Sequence, residues 1–390
     1  MGNELTADSP RRRVVLLGAT GSIGRQACDV IERFPERFEL VGVVAGRDGA
    51  ALAEVVRRFE PQRFAVLAPD RGTAMPPGCA TGIDAVCDVA AMDAEVVCVA
   101  IPGAAALQPT LAAIDAGRDI ATATKEVLVM AGELVCARAA ASGARLLPVD
   151  SEHPALWQCL RGEDPASVRR VVLTASGGPF LERPLPTFSS ITPDEALAHP
   201  TWRMGRKVTL DSATMMNKGL EIIEAHFLFD MPYERIDVAV HPTSLLHSYV
   251  EFRDGAIVAQ LGAPDMRVPI AFALSGGHRL EGAGRALDLR QSPALQFHPV
   301  DAKRFPAVNL ARLAGETGGV APAVLNAANE VAVDGFLAGA CGYTHIVGLV
   351  GDVVEHAERL DQPSLDAILA ADAWARDRVA ARLQRETALP

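Results

Sequence analysis

Aromatic residues are scarce in this chain of 390 residues, where Phe, Trp and Tyr together make up 5%. Its apolar content of 49% rests instead on Leu, Val and Ala, a composition suited to helices packed on a buried parallel sheet. Positive charge is short as well: 37 Lys and Arg against 48 Asp and Glu leave a formal charge of −11. That balance argues against a nucleic-acid surface and against docking to an anionic membrane. An acidic protein that binds an anionic ligand must then gather a few Lys, Arg, Ser and backbone N–H groups locally. No stretch is long and apolar enough to span a bilayer. The apolar run after Arg11-Arg12-Arg13 stops at Gly18, short of the roughly 7–15 residues of a signal-peptide core. Residues 1–10 read as a ragged polar tail, and a cytoplasmic location is expected. The seven Cys form no CxxC pair and are odd in number. They read as small buried hydrophobes in a reducing compartment rather than as a disulfide framework or a catalytic thiol.

Short apolar runs at 13–18, 38–45, 63–67, 95–101, 118–122 and 144–149 read as buried strands. Helical patterns lie between them at 22–33, 49–59, 104–116 and 126–141. This alternation implies an α/β fold with a doubly wound parallel sheet. The rhythm then changes. A strand is expected at 167–174, a loop-like stretch rich in Gly and Pro at 175–207, and a helix at 213–229. Runs at 236–240, 246–252 and 256–261 alternate like antiparallel strands, with Arg253-Asp254-Gly255 as a hairpin turn. From about 303 the tail is Ala-rich with helical spacing. The expected organisation is a nucleotide-binding domain at 11–149 and an α+β catalytic domain at 150–277, with a lid at about 176–207. A connection at 278–302 and a C-terminal helical domain at 303–390 follow. A loop as long as the lid segment inside a compact protein is usually functional.

The first strand runs into Gly18-Ala19-Thr20-Gly21-Ser22-Ile23-Gly24, and a helix follows. Glycines there let the backbone approach a pyrophosphate, and the helix N-terminus offers free N–H groups and partial positive charge. A Gly-rich strand-to-helix turn can also be merely structural, but its place between the first strand and the first helix strengthens the nucleotide reading. The second strand ends in Gly46-Arg47-Asp48. Arg47 can pair with a 2′-phosphate, which favours NADPH over NADH, while Asp48 could bind a ribose hydroxyl or repel phosphate.

Asp150-Ser151-Glu152 follows the apolar segment 146–149. If extended geometry persists, Asp150 and Glu152 point the same way at the carboxyl end of a strand and suit a hard divalent cation. The alternative is a helix N-cap, and this motif by itself leaves the two even. The segment 211–221 adds Ser212, Asn217, Lys218 and Glu221. On a helix, Asn217 and Lys218 share a face with Glu221, giving either a phosphate grip beside a third carboxylate or an ordinary Lys–Glu surface pair. Ser176 with Gly177 and Gly178 makes a second candidate oxyanion cradle. Trp202, in the loop with His199, Met204 and Gly205, either covers a ligand or packs back on the core.

These segments together resemble the 1-deoxy-D-xylulose-5-phosphate reductoisomerase family over essentially the whole length. The resemblance is carried by Gly-x-Thr-Gly-Ser-Ile-Gly at 18–24, Lys125-Glu126, Val149-Asp150-Ser151-Glu152-His153, Ser176-Gly177-Gly178-Pro179-Phe180 and His199-Pro200. It continues through Met204-Gly205-Arg206-Lys207, the whole of 211–221, His241-Pro242, 262–267 and Asn326-Ala327-Ala328-Asn329-Glu330. The resemblance implies rearrangement and reduction of a small phosphorylated sugar, with NADPH and Mg²⁺ or Mn²⁺ (Co²⁺ as a further option), in a homodimer. It implies Asp150, Glu152 and Glu221 as metal ligands, with Lys125, Glu152 and Lys218 as catalytic groups. Ser176, Ser212, Asn217 and Lys218 would hold the substrate phosphate. Lys125, Ser151, Glu152, His199 and Glu221 would contact the sugar end, with Trp202 and Met204 closing over it. Thr20, Gly21, Ser22, Ile23, Gly46, Arg47, Glu126 and Gly205 would line the NADPH site. The chain departs from the family pattern at Thr124 and Asp48, where Asn is usual, and both positions belong to the cofactor side. Two other readings remain at this stage: a simple NADPH dehydrogenase, which needs no three-carboxylate site, and a nucleotide-binding sensor that has lost its chemistry.

Overall fold

The computed structural model describes residues 11–202, 204–291 and 294–387. The polar tail expected at 1–10 lies outside the described residues. The chain divides into two compact units. The first comprises residues through Val127, Val135–Pro154 and Asp265–Ala286. The second comprises Leu128–Leu134, Ala155–Pro264 and the chain from Leu287 onward.

The first unit is built on seven parallel strands: β1 (Arg12–Leu17), β2 (Phe38–Ala45), β3 (Arg63–Val66), β4 (Ala80–Thr81), β5 (Val96–Val99), β6 (Asp119–Thr122) and β7 (Leu146–Pro148). Their order is β4-β3-β2-β1-β5-β6-β7. Strands covered on both faces must be apolar throughout, and β5, Val-Val-Cys-Val, is buried at every position. Six of these strands lie where the apolar runs place them. The exception is β4, two exposed residues too short to show a period. The chain winds outward from β1 to β4 and returns to the other side of β1 at β5. That reversal between β1 and β5 is the switch point at which open α/β sheets bind ligands.

The segment 265–286 belongs to this unit although it lies in the chain between the fourth and fifth strands of the second sheet. Arg12 ties it down, donating from Nη1 to the Leu274 carbonyl at 2.6 Å and from Nη2 to Asp119 at 2.9 Å. Nothing in the local pattern of residues 265–286 marks this return, because the pairing partners are remote in sequence.

The second unit carries a five-stranded sheet ordered β11-β10-β8-β9-β12. Its strands are β8 (Val168–Ala175), β9 (Ile236–Val240), β10 (Leu246–Phe252), β11 (Ile257–Leu261) and β12 (His298–Pro299). The hairpin at 253–255 is present: Gly255 takes φ +92°, and the Phe252 amide donates to the Ala256 carbonyl at 2.9 Å. The antiparallel expectation holds for β9 against β12 but fails against β8, to which it runs parallel. The 60-residue connection between β8 and β9 is long enough for a crossover, and alternation along a strand carries no information about its direction. The helices Ala307–Thr317, Ala321–Leu337, His345–Val354 and Leu365–Thr387 share one apolar core with this sheet, including Leu173, Leu220, Phe305, Val333 and Val350. No helix among the described residues is long and apolar enough to cross a membrane.

Two glycines in the first turn are demanded by packing. At Gly24, a Cβ would meet the Gly18 carbonyl oxygen at 2.1 Å, and at Gly18, with φ +94°, it would meet the Ala100 oxygen at 2.4 Å. Gly24→Ala is expected to lower stability by about 2 kcal/mol or more through this overpacking. Gly21→Ala, whose Cβ would find its nearest atom at 3.4 Å, should shift it by less than about 0.5 kcal/mol. Urea-unfolding midpoints of the two variants measure the difference.

Candidate active site

The glycines separate into those the fold requires and those it leaves open. Gly21 caps the helix Ser22–Arg33 with an ordinary φ of −77° and no side-chain cap, so the first-turn amides carry no capping side chain. Gly46, just past β2, has nothing within 4 Å of where a Cβ would stand. The fold therefore does not need glycine at 21 or 46, but a ligand lying across the carboxyl ends of β1 and β2 does. Gly21 and Ser22 are exposed, and Thr20 and Ile23 half-buried, on this turn. The residues present fit a dinucleotide phosphate. Arg47 is exposed beside them, its Nε 2.9 Å from Asp70 Oδ1. Such an exposed pair is worth under about 1 kcal/mol, so the guanidinium stays available to an anion.

Both departures on this side bond to the protein's own backbone. The Asp48 carboxylate accepts from the Ala51 amide at 2.9 Å and caps the helix Gly49–Phe59. The Thr124 hydroxyl, buried, donates to the Ile101 carbonyl at 2.7 Å. Helix capping thus accounts for the carboxylate that complicated the reading of Arg47.

At the carboxyl ends of β6 and β7 in the first unit, Lys125 Nζ lies 2.5 Å from Asp150 Oδ2, with the lysine nearly buried. Glu126 is also buried and opens the helix Glu126–Ser142. The extended geometry imagined for 150–152 does not persist. The strand ends at Pro148 and Glu152 opens the helix Glu152–Leu160. The His153 amide donates to the Asp150 carbonyl at 3.0 Å, and Ser151 Oγ donates to Glu152 Oε2 at 2.6 Å. These residues are therefore grouped by a strand-to-helix turn and not by strand pleating.

In the second unit the loop-like stretch 175–207 divides. Phe180, Phe188 and Ile191 are buried, Phe180 and Phe188 pack edge-on against Tyr343 at 5.3 and 5.8 Å, and Thr192 closes a capping box with Glu195. The described residues of 199–205 carry no helix or strand, and there Trp202 lies half-buried with its ring 6.4 Å from His247. His199 organises the loop. Its Nδ1 accepts from the Thr201 and Trp202 amides at 3.1 and 2.9 Å, so the ring proton belongs on Nε2. That nitrogen lies 3.0 Å from Ser176 Oγ, which also accepts from the Gly178 amide at 3.2 Å. Two donors on Ser176 Oγ leave the hydroxyl proton to be donated outward, as an anion site requires.

The helix expected at 213–229 is two helices, Arg206–Thr214 and Met216–Phe229, broken at Met215 with φ +58°. A non-glycine residue in this conformation costs about 1–2 kcal/mol. Ser212 lies on one side of the break. Asn217, Lys218 and Glu221 lie on the other. Lys218 and Glu221 are buried, and the Lys218 ammonium and the Asn217 amide both donate to the Glu221 carboxylate. A fully buried Glu–Lys pair is no surface decoration, which disposes of the solvated-pair reading. Gly205 caps the first of these helices with no side-chain bond and nothing within 4 Å of a Cβ. Asp150, Glu152 and Glu221 are hard oxygen donors and fit Mg²⁺ by ligand type.

Lys207, quoted above only as part of a family motif, has its Nζ 2.8 Å from buried Asp211. A compositional signal marks it. The chain has only four lysines, at 125, 207, 218 and 303, against 33 arginines. Where Arg serves nearly everywhere as the cation, three of the four lysines answer carboxylates, Lys125 in the first unit and Lys207 and Lys218 in the second. An ammonium is a compact point charge, unlike the planar guanidinium of Arg.

Three family models match the chain: 1-deoxy-D-xylulose 5-phosphate reductoisomerase over residues 14–132, its C-terminal domain over 146–229, and the DXP reductoisomerase C-terminal domain over 261–378. The 1-deoxy-D-xylulose 5-phosphate reductoisomerase of Symbiobacterium thermophilum is 50% identical over 379 residues, covering 94% of this chain and 97% of that protein. The one from Thermomicrobium roseum is 48% identical, covering 94% and 96%. Among solved structures, the Zymomonas mobilis enzyme in complex with NADPH superposes with a TM-score of 0.87 at 41% identity, covering 96% of this chain and 99% of that one. A DOX-P reductoisomerase in complex with NADPH, fosmidomycin and magnesium superposes at 0.90 with 36% identity, covering 96% and 98%.

Burial holds the His199 pKa below its ordinary 6.5, and protonating Nδ1 would set N–H against two N–H donors. A histidine with a lowered folded pKa contributes stability that is complete above the ordinary value. That contribution is lost as pH falls below it, because the unfolded chain takes up the proton first. The Tm of the wild type should therefore fall more steeply than that of His199→Gln between about pH 6.5 and pH 5. Thermal denaturation of both proteins across that range checks this.

Proposed function

The chain belongs to the 1-deoxy-D-xylulose 5-phosphate reductoisomerase family, and we propose that it carries out that family's reaction. It converts 1-deoxy-D-xylulose 5-phosphate to 2-C-methyl-D-erythritol 4-phosphate, with NADPH and a divalent metal ion, in isoprenoid precursor synthesis. The observation that carries this reading is the coincidence of an uncapped, glycine-open nucleotide turn at the β1/β5 switch point with lysine-answered carboxylates, half-buried at Asp150 and buried at Glu221.

Asp150, Glu152 and Glu221 would hold the metal ion, Mg²⁺ by donor type, with Mn²⁺ and Co²⁺ as substitutes. Ser176, Ser212, Asn217 and Lys218 would hold the phosphate. The outward hydroxyl proton of Ser176 and the Lys218 ammonium support this assignment. Lys125, Ser151, Glu152 and His199 would contact the sugar, with Glu221 beside them and Trp202 and Met204 covering it. Thr20, Gly21, Ser22, Ile23, Gly46, Arg47, Glu126 and Gly205 would line the NADPH site. Asp48 and Thr124 would act there only through the helix and loop they secure. When bound, the metal ion supplies a Lewis acid for the sugar carbonyl and its neighbouring hydroxyl, and NADPH supplies a hydride.

The chain's own groups do the rest. Release of Asp150 and Glu221 to a metal ion would leave the Lys125 and Lys218 ammonium groups for the anionic substrate. Grip on the phosphate, which does not react, provides binding energy for ordering the loop around Trp202 and excluding water from the reacting carbons. We further propose a cytoplasmic homodimer. The exposed apolar side chains Ile257 and Phe297 on the second sheet's outer strands and flanking segment support an interface there.

Purified protein with 1-deoxy-D-xylulose 5-phosphate, NADPH and Mg²⁺ should oxidise NADPH, and EDTA should abolish the activity. No turnover with any divalent ion would sink the reading. Glu221→Gln should lower kcat at least about a hundredfold with the circular dichroism spectrum unchanged. Arg47→Ala should raise the KM for NADPH by about tenfold or more while leaving that for NADH near its wild-type value. Equal effects on both would remove Arg47 from the 2′-phosphate site.

A further inference from the structure

The break at Met215 sets the spacing between Ser212 and the Asn217–Lys218 pair, and locally it is supported by the Met216 amide donating to Thr214 Oγ1 at 3.3 Å and the Met215 amide donating to the Ser212 carbonyl at 3.2 Å. Further contacts come from the C-terminal helical region. Asn329, fully buried on the helix Ala321–Leu337, donates from Nδ2 to Asp211 Oδ1 at 2.7 Å. The other Asp211 oxygen is 2.8 Å from Lys207 Nζ. The Tyr343 hydroxyl donates to the Ala213 carbonyl at 2.7 Å. That carbonyl belongs to the last turn of the first helix, where carbonyls lack intrahelical partners. The Tyr343 ring is itself fixed, packed edge-on by Phe180, Phe188 and Phe336 at 5.3, 5.8 and 6.0 Å. Burial raises the Tyr343 pKa, so the hydroxyl remains a donor at all working pH values.

We propose that Asn329 and Tyr343 are positioning residues for the substrate phosphate, clamping the turn at Met215 so that Ser212 and Asn217–Lys218 face one anion. They act on the last turn of the first helix from opposite sides, one through the Asp211 side chain and one through the backbone at Ala213. Neither touches the substrate. The C-terminal helices thereby set affinity for a group that is remote from the chemistry. The proposal rests on the assignment of Ser212, Asn217 and Lys218 to the phosphate.

Steady-state kinetics of the full-length enzyme with Mg²⁺ tests both layers. Tyr343→Phe deletes a single oxygen from a packed ring. Loss of one hydrogen bond of ordinary strength should raise the KM for 1-deoxy-D-xylulose 5-phosphate about three- to tenfold. Inhibition by inorganic phosphate should weaken by a similar factor, while kcat and the KM for NADPH stay within about twofold. Asn329→Ala should act in the same direction. Should it fail to accumulate as folded protein, Tyr343→Phe carries the test by itself. A Tyr343→Phe enzyme with an unchanged KM for the sugar phosphate overturns the proposal. So does one in which kcat and both KM values worsen together, the mark of general loosening. Ser212→Ala separates the layers. If it leaves the sugar-phosphate KM and the phosphate inhibition unchanged, the phosphate assignment has failed. If it raises them while Tyr343→Phe does not, only the clamp has failed.

Discussion

A carboxylate taken out of water must be answered by a cation or a proton, and this protein answers three of them with lysine. Asp150 meets Lys125, Asp211 meets Lys207, and Glu221 meets Lys218. Removing one partner of such a buried pair typically costs about 3–5 kcal/mol, because the other charge is left stranded. The pairs are therefore costly elements that the surrounding packing must justify. In a chain with a formal charge of −11 and only four lysines, their concentration is the clearest local sign of function. The same ion pairs that permit burial of the acids also hold the ammonium groups ready for an anionic ligand.

Backbone geometry serves the same end. In the first unit, Gly18 and Gly24 let a helix start against the sheet, while Gly21 and Gly46 leave open space over the ends of β1 and β2. In the second, the turn at Met215 interrupts what would otherwise be one helix and places polar groups on both sides of a bend. Its conformational strain is offset by contacts from helices far along the chain. Function here depends on local conformations that propensity alone would not choose, which is the pattern expected where structure is held for chemistry rather than for stability.

The loop around His199 shows how little is needed to order a polar segment. One imidazole accepts two backbone amides and donates to Ser176, so that the ring, the loop and the hydroxyl are oriented together. The aromatic cluster of Phe180, Phe188 and Tyr343 anchors the preceding stretch. A phosphate grip on the same broken helix, as proposed, would couple affinity to packing in the C-terminal region.

Much was legible from residue order. Buried parallel strands write themselves as continuous apolar runs, so six of the seven strands of the first sheet, its strand–helix alternation and the nucleotide turn follow from the sequence. So do the polar residues of 211–221, because their types suit a phosphate and a metal ion. Tertiary structure decided the rest. The parallel direction of β9, the return of residues 265–286 to the first unit and the bond from Tyr343 to Ala213 depend on partners far away in the chain, which no local period encodes. The break at Met215 is invisible for a related reason: methionine favours helix, and long-range contacts help make the bend worth its strain. Asp48 shows the converse. Its residue type suggested a competitor for the cofactor, and its position at a helix N-terminus gave it a different task.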